Sequence, residues 1–296
     1  MKNILIIGAN GFTGRRILND LSVNPIYHVT GCSLRDDICP GKDYRFVRTD
    51  IRDENEVRKL FKECRPDIVI NTSALSVPDY CETHHAEAEA TNVTAVETIA
   101  HVCEQYGSRF IHLSTDFVFD GKSTRLYKEE DEAIPVYYYG VTKLKAEKII
   151  ASICSNYAIV RVVVVYGKAL PGQHGNILQL VANRLRNGET IRVVSDQWRT
   201  PTFVGDISVG VEKLMFHTAN GIYHICGSEC LTIAEIAYRV ADFLKLDRSL
   251  IEPVTTEEMK ETTPRPRFSG LSIEKAKAEI GYTPRTLEEG MEASLF

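Results

Sequence analysis

Long hydrophobic runs, paired cysteines and an excess of basic charge are all missing from this sequence. Its 296 residues carry 35 Lys and Arg against 40 Asp and Glu, a net charge of −5, which offers no positive surface to nucleic acid. No run approaches the roughly 20 apolar residues that span a bilayer, and the first apolar run is too short for a signal peptide. We therefore expect a cytoplasmic protein that binds neither nucleic acid nor membrane.

Cysteine spacing gives no sign of a disulfide framework or a metal site. The eight cysteines are scattered, with no Cys-x-x-Cys pair, and no histidine cluster joins Cys226 and Cys230. We expect reduced thiols and no bound metal. The apolar content of 44% and the charged content of 25% are those of an ordinary globular protein. The length fits one large domain or two closely joined ones.

Three glycines near the N-terminus form the first motif. An apolar run ends at Gly8, and Gly11 and Gly14 complete a Gly-x-x-Gly-x-x-Gly pattern before a helical spacing begins. Gly8 allows a tight turn, Gly11 lets the backbone approach a pyrophosphate, and Gly14 lets helix and strand pack closely. The start of the helix offers free N–H groups to that anion. A plain glycine turn is the alternative, but the position directly after a strand favours dinucleotide binding.

Strand and helix patterns alternate through the first half of the chain. This alternation predicts an α/β fold with a doubly wound parallel sheet. The predicted strands are Ile4–Ile7, Tyr27–Cys32, Arg45–Val47, Ile68–Asn71, Arg109–Ser114 and Ala158–Val165. The predicted helices are Thr13–Leu21, Glu54–Cys64, Glu87–Tyr106 and Tyr138–Ile153. Ligands in such sheets bind beyond the carboxyl ends of the strands, where the segments 8–14, 71–74 and 114–116 converge.

The second half has a different composition. Segment 167–175 is rich in glycine and proline, and segment 263–267 is a Pro/Arg loop that cannot be helical. Predicted elements are helices at 177–187, 204–216, 232–244, 273–280 and 287–296, and strands at 191–194 and 221–226. We expect a dinucleotide-binding domain over 1–166, to which 204–226 returns. Residues 167–203 and 227–296 would then form a smaller substrate-binding lid.

Tyr139 and Lys143 are the most informative pair for chemistry. Residues four apart on a helix share a face, and a nearby ammonium lowers the pKa of a phenol toward working pH. Such a phenol can protonate a carbonyl that is being reduced. The chain has 13 tyrosines, so the spacing alone is weak evidence. A second group, Ser114, Thr115 and Asp116, ends a predicted strand. Its hydroxyls can hold a substrate oxygen, although capping or a turn is the alternative.

Taken together, these segments resemble the extended short-chain dehydrogenase/reductases, and most closely the dTDP-4-dehydrorhamnose reductases. The resemblance covers nearly the whole chain and rests on segments 8–14, 65–71, 114–121, 139–143, 196–202 with Asp206, and 265–271. It implies a Rossmann domain and hydride transfer from NAD(P)H to the C4 keto group of a nucleotide-linked 4-keto-6-deoxyhexose. Such a reaction belongs to the synthesis of dTDP-L-rhamnose or a related deoxysugar for polysaccharides.

The resemblance also implies residue roles. Thr115 would bind the C4 oxygen, Tyr139 would protonate it, and Lys143 would hold the cofactor ribose. Asp116 would be a helper acid, unless it only caps the next segment. The implied cofactor contacts are Gly8, Asn10, Gly11, Phe12, Thr13, Gly14, Ser33, Arg35, Asp50, Ile51, Asn71, Thr72, Ser73, Ala74, Asn92, Tyr139 and Lys143. The implied substrate contacts are Asp79, Thr115, Phe117, Asn176, Trp198, Thr202 and Arg265.

The end of the second predicted strand bears on the choice of dinucleotide. A carboxylate there selects NAD, whereas an arginine accommodates the 2′-phosphate of NADP. Arg35 follows Ser33, and Asp36 and Asp37 come slightly too late, so the sequence favours NADP(H), with NAD(H) as the alternative. Arg265 would suit the pyrophosphate of the substrate, since arginine binds phosphate in a bidentate manner. A solvated charge in a loop is the alternative for Arg265.

Some positions depart from the reductase pattern. Val162–Val164 stands where these reductases usually have Thr-Ser-Trp, and Tyr80 replaces a lysine, which leaves the exact sugar open. Phe117 stands where the related dehydratases carry a glutamate, so water elimination is disfavoured.

An epimerase that holds NAD tightly is a rival function. A further rival is an NADP-binding protein without catalysis, like the regulatory subunit of methionine adenosyltransferase. A homodimer is one expected assembly.

Overall fold

A seven-stranded parallel sheet forms the centre of the protein. The computed structural model describes residues 1–41, 43–173, 175–263 and 265–294. Its strands, numbered along the chain, are β1 Lys2–Ile7, β2 Tyr27–Ser33, β3 Arg45–Arg48, β4 Ile68–Asn71, β5 Arg109–Thr115, β6 Tyr157–Val162, β7 Val165–Tyr166, β8 Ile191–Val194, β9 Trp198–Arg199, β10 Thr202–Phe203, β11 Gly221–His224, β12 Leu231–Thr232 and β13 Ile251–Val254. The sheet order is β11-β6-β5-β4-β1-β2-β3. The order reverses direction beside β1, as in a doubly wound fold.

Helices cover both faces of the sheet. They are α1 Phe12–Ser22, α2 Glu54–Cys64, α3 Pro78–Thr83, α4 His85–Glu89, α5 Ala95–Tyr106, α6 Tyr138–Ile153, α7 Ile177–Arg186, α8 Val204–Phe216, α9 Ile233–Leu244, α10 Thr256–Met259, α11 Glu274–Ile280 and α12 Leu287–Ser294. A π-helical turn, Ala90–Thr94, joins α4 to α5. Among the residues that the structure describes, no helix is both long and apolar enough to cross a membrane.

The alternation of side chains in β1 explains the layered core. Ile4 and Ile6 pack on one face of the sheet with apolar residues of α1 and α8, whereas Leu5 and Ile7 pack on the other face with α2 and α5. Successive side chains of a strand point to opposite faces, so a continuous apolar run needs cover on both sides. Burying each of these side chains contributes about 1.5–3 kcal/mol. The predicted α/β class is confirmed.

The second half contributes both to the sheet and to a separate apolar cluster. Strand β11 pairs in parallel with β6 at the edge of the central sheet. Helices α7, α9 and α12 enclose the other cluster, which includes the parallel pair of β8 with β13. The expected domain boundary at residue 166, with 204–226 returning to the first domain, stays a prediction.

Three predicted elements differ from those in the structure. The strand predicted for 158–165 is interrupted at Val164, whose φ of +37° places it in the left-handed region, which β-branched residues rarely adopt. The helix predicted for 87–106 begins earlier as the short helices α3 and α4, and the π-helical turn interrupts it. The strand predicted for 221–226 ends at His224. Residues 295 and 296 of the last predicted helix lie outside the described residues.

Candidate functional site

The glycine turn leaves the start of α1 open to an anion. Gly8 has a φ of +84°, and a Cβ there would lie 2.7 Å from the backbone nitrogen of Ser73. Gly11 is the N-cap of α1, no side chain caps the helix, and its first turn carries no acidic residue. The first N–H groups of a helix lack partners within the helix and attract phosphate. This turn, together with Phe12 and Thr13, therefore fits the pyrophosphate of a dinucleotide.

The loop after β4 lies directly beside this turn. The Thr72 hydroxyl donates to the carbonyls of Ile7, at 2.9 Å, and Gly8, at 3.3 Å. Ser73 donates from its backbone N–H and its hydroxyl to Oδ1 of Asn71, at 3.0 and 2.6 Å. The side chains of all three predicted contacts are therefore engaged within the protein. What this loop, including Ala74, offers to a ligand is chiefly its backbone.

The segment after β2 is held by a buried arginine that the sequence analysis did not single out. Asn10 donates from Nδ2 to the carbonyls of Arg35, at 3.2 Å, and Asp36, at 2.8 Å. The Arg15 guanidinium, 3% exposed, pairs with Asp37 and donates to Oδ1 of Asn10 at 2.8 Å. Backbone and side-chain hydrogen bonds and the charge of Arg15 outweigh burial and lower the pKa of Asp37. The backbone around Arg35 is thereby fixed in place.

The other predicted contacts near the adenosine end lie at the carboxyl ends of β2 and β3. Ser33 is the last residue of β2, and its carbonyl accepts from the backbone N–H of Thr49 at 2.8 Å. Asp50 pairs with Arg52 at 2.7 Å, and Ile51 is half-buried beside it. These residues share the edge of the sheet with the glycine turn.

Tyr139 and Thr115 meet at the end of β5. Thr115 is the last residue of β5, and Tyr139 lies in the first turn of α6. A Cβ on Gly140 would overlap the carbonyl of Phe117, so this glycine permits α6 to approach the turn after β5. Burial raises the pKa of Tyr139 well above 10 and Asp116 raises it further, whereas a hydrogen bond with Thr115 lowers it. The phenol therefore keeps its proton at neutral pH and lies beside a hydroxyl.

Lys143 does not act on the phenol as predicted. Its Nζ lies 2.8 Å from Nε2 of His112 and donates to the carbonyl of Leu113 at 2.6 Å. Burial lowers the pKa of Lys143 to about 8, against an opposing effect of Glu147. Lys143 does not contribute to the pKa of Tyr139, which is raised. The expectation that Lys143 lowers the phenol's pKa is wrong for this arrangement, because Nζ of Lys143 is held by His112 and the Leu113 carbonyl on β5.

Asp116 is a buried acid next to the hydroxyl of Thr115. The Thr115 hydroxyl donates to Oδ1 of Asp116 at 3.1 Å, and the Ser269 hydroxyl donates to Oδ2. Burial raises the pKa of Asp116, while the charge of Arg199 opposes that rise. Ser114 instead donates to Glu147, so Thr115 is the hydroxyl that faces the phenol.

Three predicted substrate contacts meet at the mouth of the site. Nη2 of Arg265 lies 3.5 Å from Oδ2 of Asp79, and its guanidinium carbon lies 6.0 Å from the ring centroid of Phe117. Asp79 belongs to α3, whereas Arg265 comes from the segment before α11. Two distant parts of the chain thus place an arginine next to the turn that follows Thr115.

Other predicted contacts use their polar atoms within the protein. Thr202 is fully buried and donates to the carbonyl of Val163 at 2.6 Å. Asn176 caps α7 and donates to the carbonyl of Gly167 at 2.8 Å. Asn92, in the π-helical turn, accepts from the N–H of Leu75 and donates to its carbonyl. These three side chains are held by bonds within the protein, and their roles as ligand contacts stay predictions.

Trp198 differs from these residues because 39% of it is exposed, in β9. It is the chain's one tryptophan and offers an aromatic surface to solvent. Within the described ranges, no group of three or more His, Cys, Asp or Glu residues could hold a metal ion.

Comparison with known proteins places the chain in a family. The family model described as the RmlD substrate binding domain matches residues 1–295. The chain belongs to this family. It is 31% identical, over 293 residues, to spore coat polysaccharide biosynthesis protein SpsK of Bacillus subtilis, covering 98% of this chain and 96% of that protein. It is also 31% identical, over 290 residues, to methionine adenosyltransferase 2 subunit beta of Xenopus laevis, covering 96% of this chain and 84% of that protein.

A solved structure of the RmlD kind has the same fold. It is dTDP-4-dehydrorhamnose reductase from Bacillus anthracis in complex with NADP, with a TM-score of 0.87, 26% identity and 99% of both chains covered. The resemblance to extended short-chain dehydrogenase/reductases that the motifs indicated is thereby confirmed. The NADP in that structure agrees with the predicted dinucleotide. At this level the RmlD-family chain is related to the sugar-nucleotide reductases.

Four residues of this RmlD-family site were missed by the sequence analysis: Arg15, His112, Arg199 and Ser269. Arg15 follows the last glycine of the motif directly, and Arg199 and Ser269 lie inside segments 196–202 and 265–271, so their positions carried a signal. His112 is a polar residue within the apolar strand β5, and this unusual position was the available signal in the sequence.

Proposed function

We propose that this chain uses NADPH to reduce the C4 keto group of a nucleotide-linked 4-keto-6-deoxyhexose. The observation that carries the proposal is the contact of a protonated Tyr139 with Thr115 at the edge of the sheet where the glycine turn opens. A hydroxyl and a phenol at one point can hold and protonate the same oxygen. Family membership supports chemistry on a nucleotide sugar.

Each part of the site would have its own role in the reaction. When bound, the cofactor supplies the hydride. The glycine turn and the start of α1 would hold its pyrophosphate. Thr115 would orient the keto oxygen and Tyr139 would donate the proton. Because Tyr139 has a raised pKa, it needs a nearby cation to become more acidic, and Lys143 would provide that charge once it contacts the cofactor ribose.

The mouth of the site suits a substrate with a diphosphate. Arg265 is held near Phe117 by Asp79, and its guanidinium matches phosphate oxygens in a bidentate manner. The exposed ring of Trp198 could stack on the base or sugar. NADPH is favoured over NADH because Arg35 follows β2 and its backbone is held by Asn10. The NADP bound to the Bacillus anthracis relative is consistent with this preference.

The decisive experiment is a substrate panel. Purified protein is incubated with NADPH or NADH and with a series of nucleotide 4-ketosugars, and the absorbance of the reduced cofactor is followed. We expect NADPH consumption with one or a few members of the panel and transfer of deuterium from labelled cofactor to C4. Absence of consumption with every member, while NADP⁺ still binds, would overturn the proposal.

A second candidate is a regulatory subunit that binds NADP without catalysis. It is favoured by the 31% identity to methionine adenosyltransferase 2 subunit beta over 96% of this chain. That function would give cofactor binding, no ketosugar reduction, and a change in the kinetics of a methionine adenosyltransferase on mixing. An epimerase would instead carry tightly bound NAD through purification, which the absorbance of acid-released cofactor would reveal.

A further inference from the structure

A largely buried hydrogen-bond network of polar side chains lies beneath the candidate site. This network starts at Ser73, passes through Asn71 and His112, and ends at Lys143. Nδ2 of Asn71 lies 3.1 Å from Nδ1 of His112, and Nε2 of His112 lies 2.8 Å from Nζ of Lys143. Asn71 and His112 are 0% exposed and Lys143 is 1% exposed. Water therefore cannot supply a missing donor or acceptor between Asn71, His112 and Lys143, and each proton among these three must have an internal partner.

The orientation of the Asn71 amide follows from Ser73. The backbone N–H of Ser73 can only donate, and it points to Oδ1 of Asn71 at 3.0 Å. The Ser73 hydroxyl meets the same oxygen at 2.6 Å. Nδ2 of Asn71 therefore faces His112, and because an amide nitrogen only donates, Nδ1 of His112 must accept. That ring nitrogen carries no proton.

The single proton of His112 then lies on Nε2. Burial lowers the pKa of His112 well below 6.5, so the ring is neutral and has one N–H. This N–H points at Nζ of Lys143. An ammonium can only donate, so an N–H of Lys143 and the N–H of His112 would face each other with no acceptor between them. An uncharged amine has a lone pair that accepts from His112 and hydrogens for the carbonyl of Leu113.

The alternative proton arrangement fails at the Ser73 end of the network. If Nδ1 of His112 carried the proton, Asn71 would have to turn its oxygen toward the ring. Its Nδ2 would then face the backbone N–H of Ser73 across 3.0 Å, again donor against donor. With Lys143 as an amine, every polar side-chain group in this network has a hydrogen-bond partner.

We propose that His112 is a positioning residue, which donates from Nε2 to an uncharged Lys143 amine and stores that amine under β5 until cofactor draws it out. The inference rests on the proposed role of Lys143 at the cofactor ribose and deepens it. When the amine leaves His112 and becomes an ammonium, one proton is taken up from solvent. Cofactor binding is thereby coupled to proton uptake.

The charges around Lys143 set the pH range in which the amine is present. Burial lowers the pKa of Lys143 to about 8, so the uncharged amine predominates above this pH. Glu147, one turn further along α6, opposes this shift, but it pairs with Arg161 at 2.6 Å and so is already neutralised. Asp116, from the turn after β5, raises the pKa of Tyr139 and does not shift that of Lys143.

The first test reads the tautomer directly. Nitrogen-15 NMR of the histidine side chains in the full-length, cofactor-free protein distinguishes a protonated Nε2 from a protonated Nδ1. The His112→Gln variant assigns the resonance among the eight histidines. We expect the Nε2–H form above the pKa of Lys143, at about pH 8.5 to 9.5. The Nδ1–H form or a doubly protonated ring would overturn the proposal.

The second test measures the coupled proton. NADP⁺ is titrated into the protein by calorimetry at pH 8.5 in two buffers of different ionisation enthalpy. At this pH a phosphate monoester, with a second pKa of about 6, takes up almost no proton. We expect about one proton taken up per NADP⁺ in the wild type and in His112→Gln, which retains an N–H donor near Nε2. In His112→Leu the uptake should fall by more than half.

No proton uptake in the wild type, or equal uptake in the glutamine and leucine variants, would contradict the coupling. Neither test requires turnover, so failure of the proposed reduction and failure of this inference are separate results. If the leucine variant does not fold, the NMR result and the wild-type calorimetry still decide.

Discussion

Arg265 and Asp79 face each other at 3.5 Å at the mouth of the site, although they lie far apart in the sequence. Glu261 lies 3.9 Å from the same guanidinium. Arg265 is therefore held by two carboxylates at the position where we propose that the substrate diphosphate binds. A dianion can take over the guanidinium from these weaker partners, since bidentate contacts to phosphate are strong.

Replacing Arg265 with methionine should raise KM for the nucleotide sugar by about 10- to 100-fold, the equivalent of a hydrogen bond to a charged group. Turnover at saturation and NADP⁺ affinity should change little, because the arginine lies away from the reacting carbonyl. Steady-state kinetics with varied sugar provide the measurement. Arg267→Met, two residues further and largely exposed, is the control. A loss confined to kcat would refute diphosphate binding.

Asp79→Asn should lower KM for the nucleotide sugar, whereas Arg265→Met should raise it. The Asp79 change removes a negative charge that competes with the diphosphate for Arg265, so KM for the sugar should fall by about 2- to 5-fold, the scale of a partly exposed ion pair. The same kinetic assay measures the change, and the effect should shrink at high salt. An increase in KM would mean that Asp79 itself contacts the substrate.

Tyr139→Phe should lower turnover by about 100-fold or more while NADP⁺ affinity stays within about twofold, because only the proton donor is removed. Single-turnover kinetics with NADPH separate the chemical step from product release. Tyr106→Phe, the same change in a partly exposed tyrosine at the end of α5, is the matched control. Wild-type turnover in the Tyr139 variant would contradict the proton-donor assignment.

Arg35→Ala should weaken binding of NADP⁺ by about tenfold, close to 1.4 kcal/mol, and leave binding of NAD⁺ unchanged. The reason is that the guanidinium would contact only the 2′-phosphate. Dissociation constants for both dinucleotides, measured by fluorescence quenching, give the ratio. Arg45→Ala, on β3 and paired with Glu63, is the control. Equal losses for both dinucleotides would remove Arg35 from the 2′-phosphate site.

A pH effect on stability is expected away from the site. Hydrogen bonds from Arg125 and the backbone of Lys128 lower the pKa of Asp131 from 3.8 to about 2. The folded-state pKa is depressed, so the ionised carboxylate stabilises the fold above pH 3.8, and this contribution is lost between about pH 3.8 and 2. Asp131→Asn should therefore destabilise the protein at pH 7, by an amount that shrinks below pH 4. Urea unfolding of this variant and of Glu130→Gln, its exposed neighbour, tests the difference.

Much of the fold could be predicted because its signals are local. The apolar run before Gly8 and the helical spacing after Gly14 indicate a strand, a turn and a helix without knowledge of the rest of the chain. Polar residues at strand ends, such as Thr115, can be placed at one edge because parallel strands end together. The class of fold and the neighbourhood of the phenol needed nothing else.

The parts that could not be predicted depend on contacts between distant residues. Helical spacing placed Lys143 on the same face as Tyr139, but the direction of its side-chain nitrogen is decided by His112, on another element. The partner of Asp116, Ser269, lies 153 residues away. The left-handed backbone of Val164 opposes its local preference and exists only because surrounding packing requires it.

The π-helical turn at Ala90–Thr94 accommodates one extra residue between α4 and α5. An α-helical turn closes with a bond to the fourth residue back and a π-helical turn with a bond to the fifth, so the extra residue is absorbed within the turn. Deleting one residue there would restore an α-helical turn and leave Val96, Ile99 and Cys103 of α5 facing the core that they now fill. The same deletion would displace Asn92 from its bonds to Leu75. The extra residue therefore serves the placement of Asn92 and not the packing of α5.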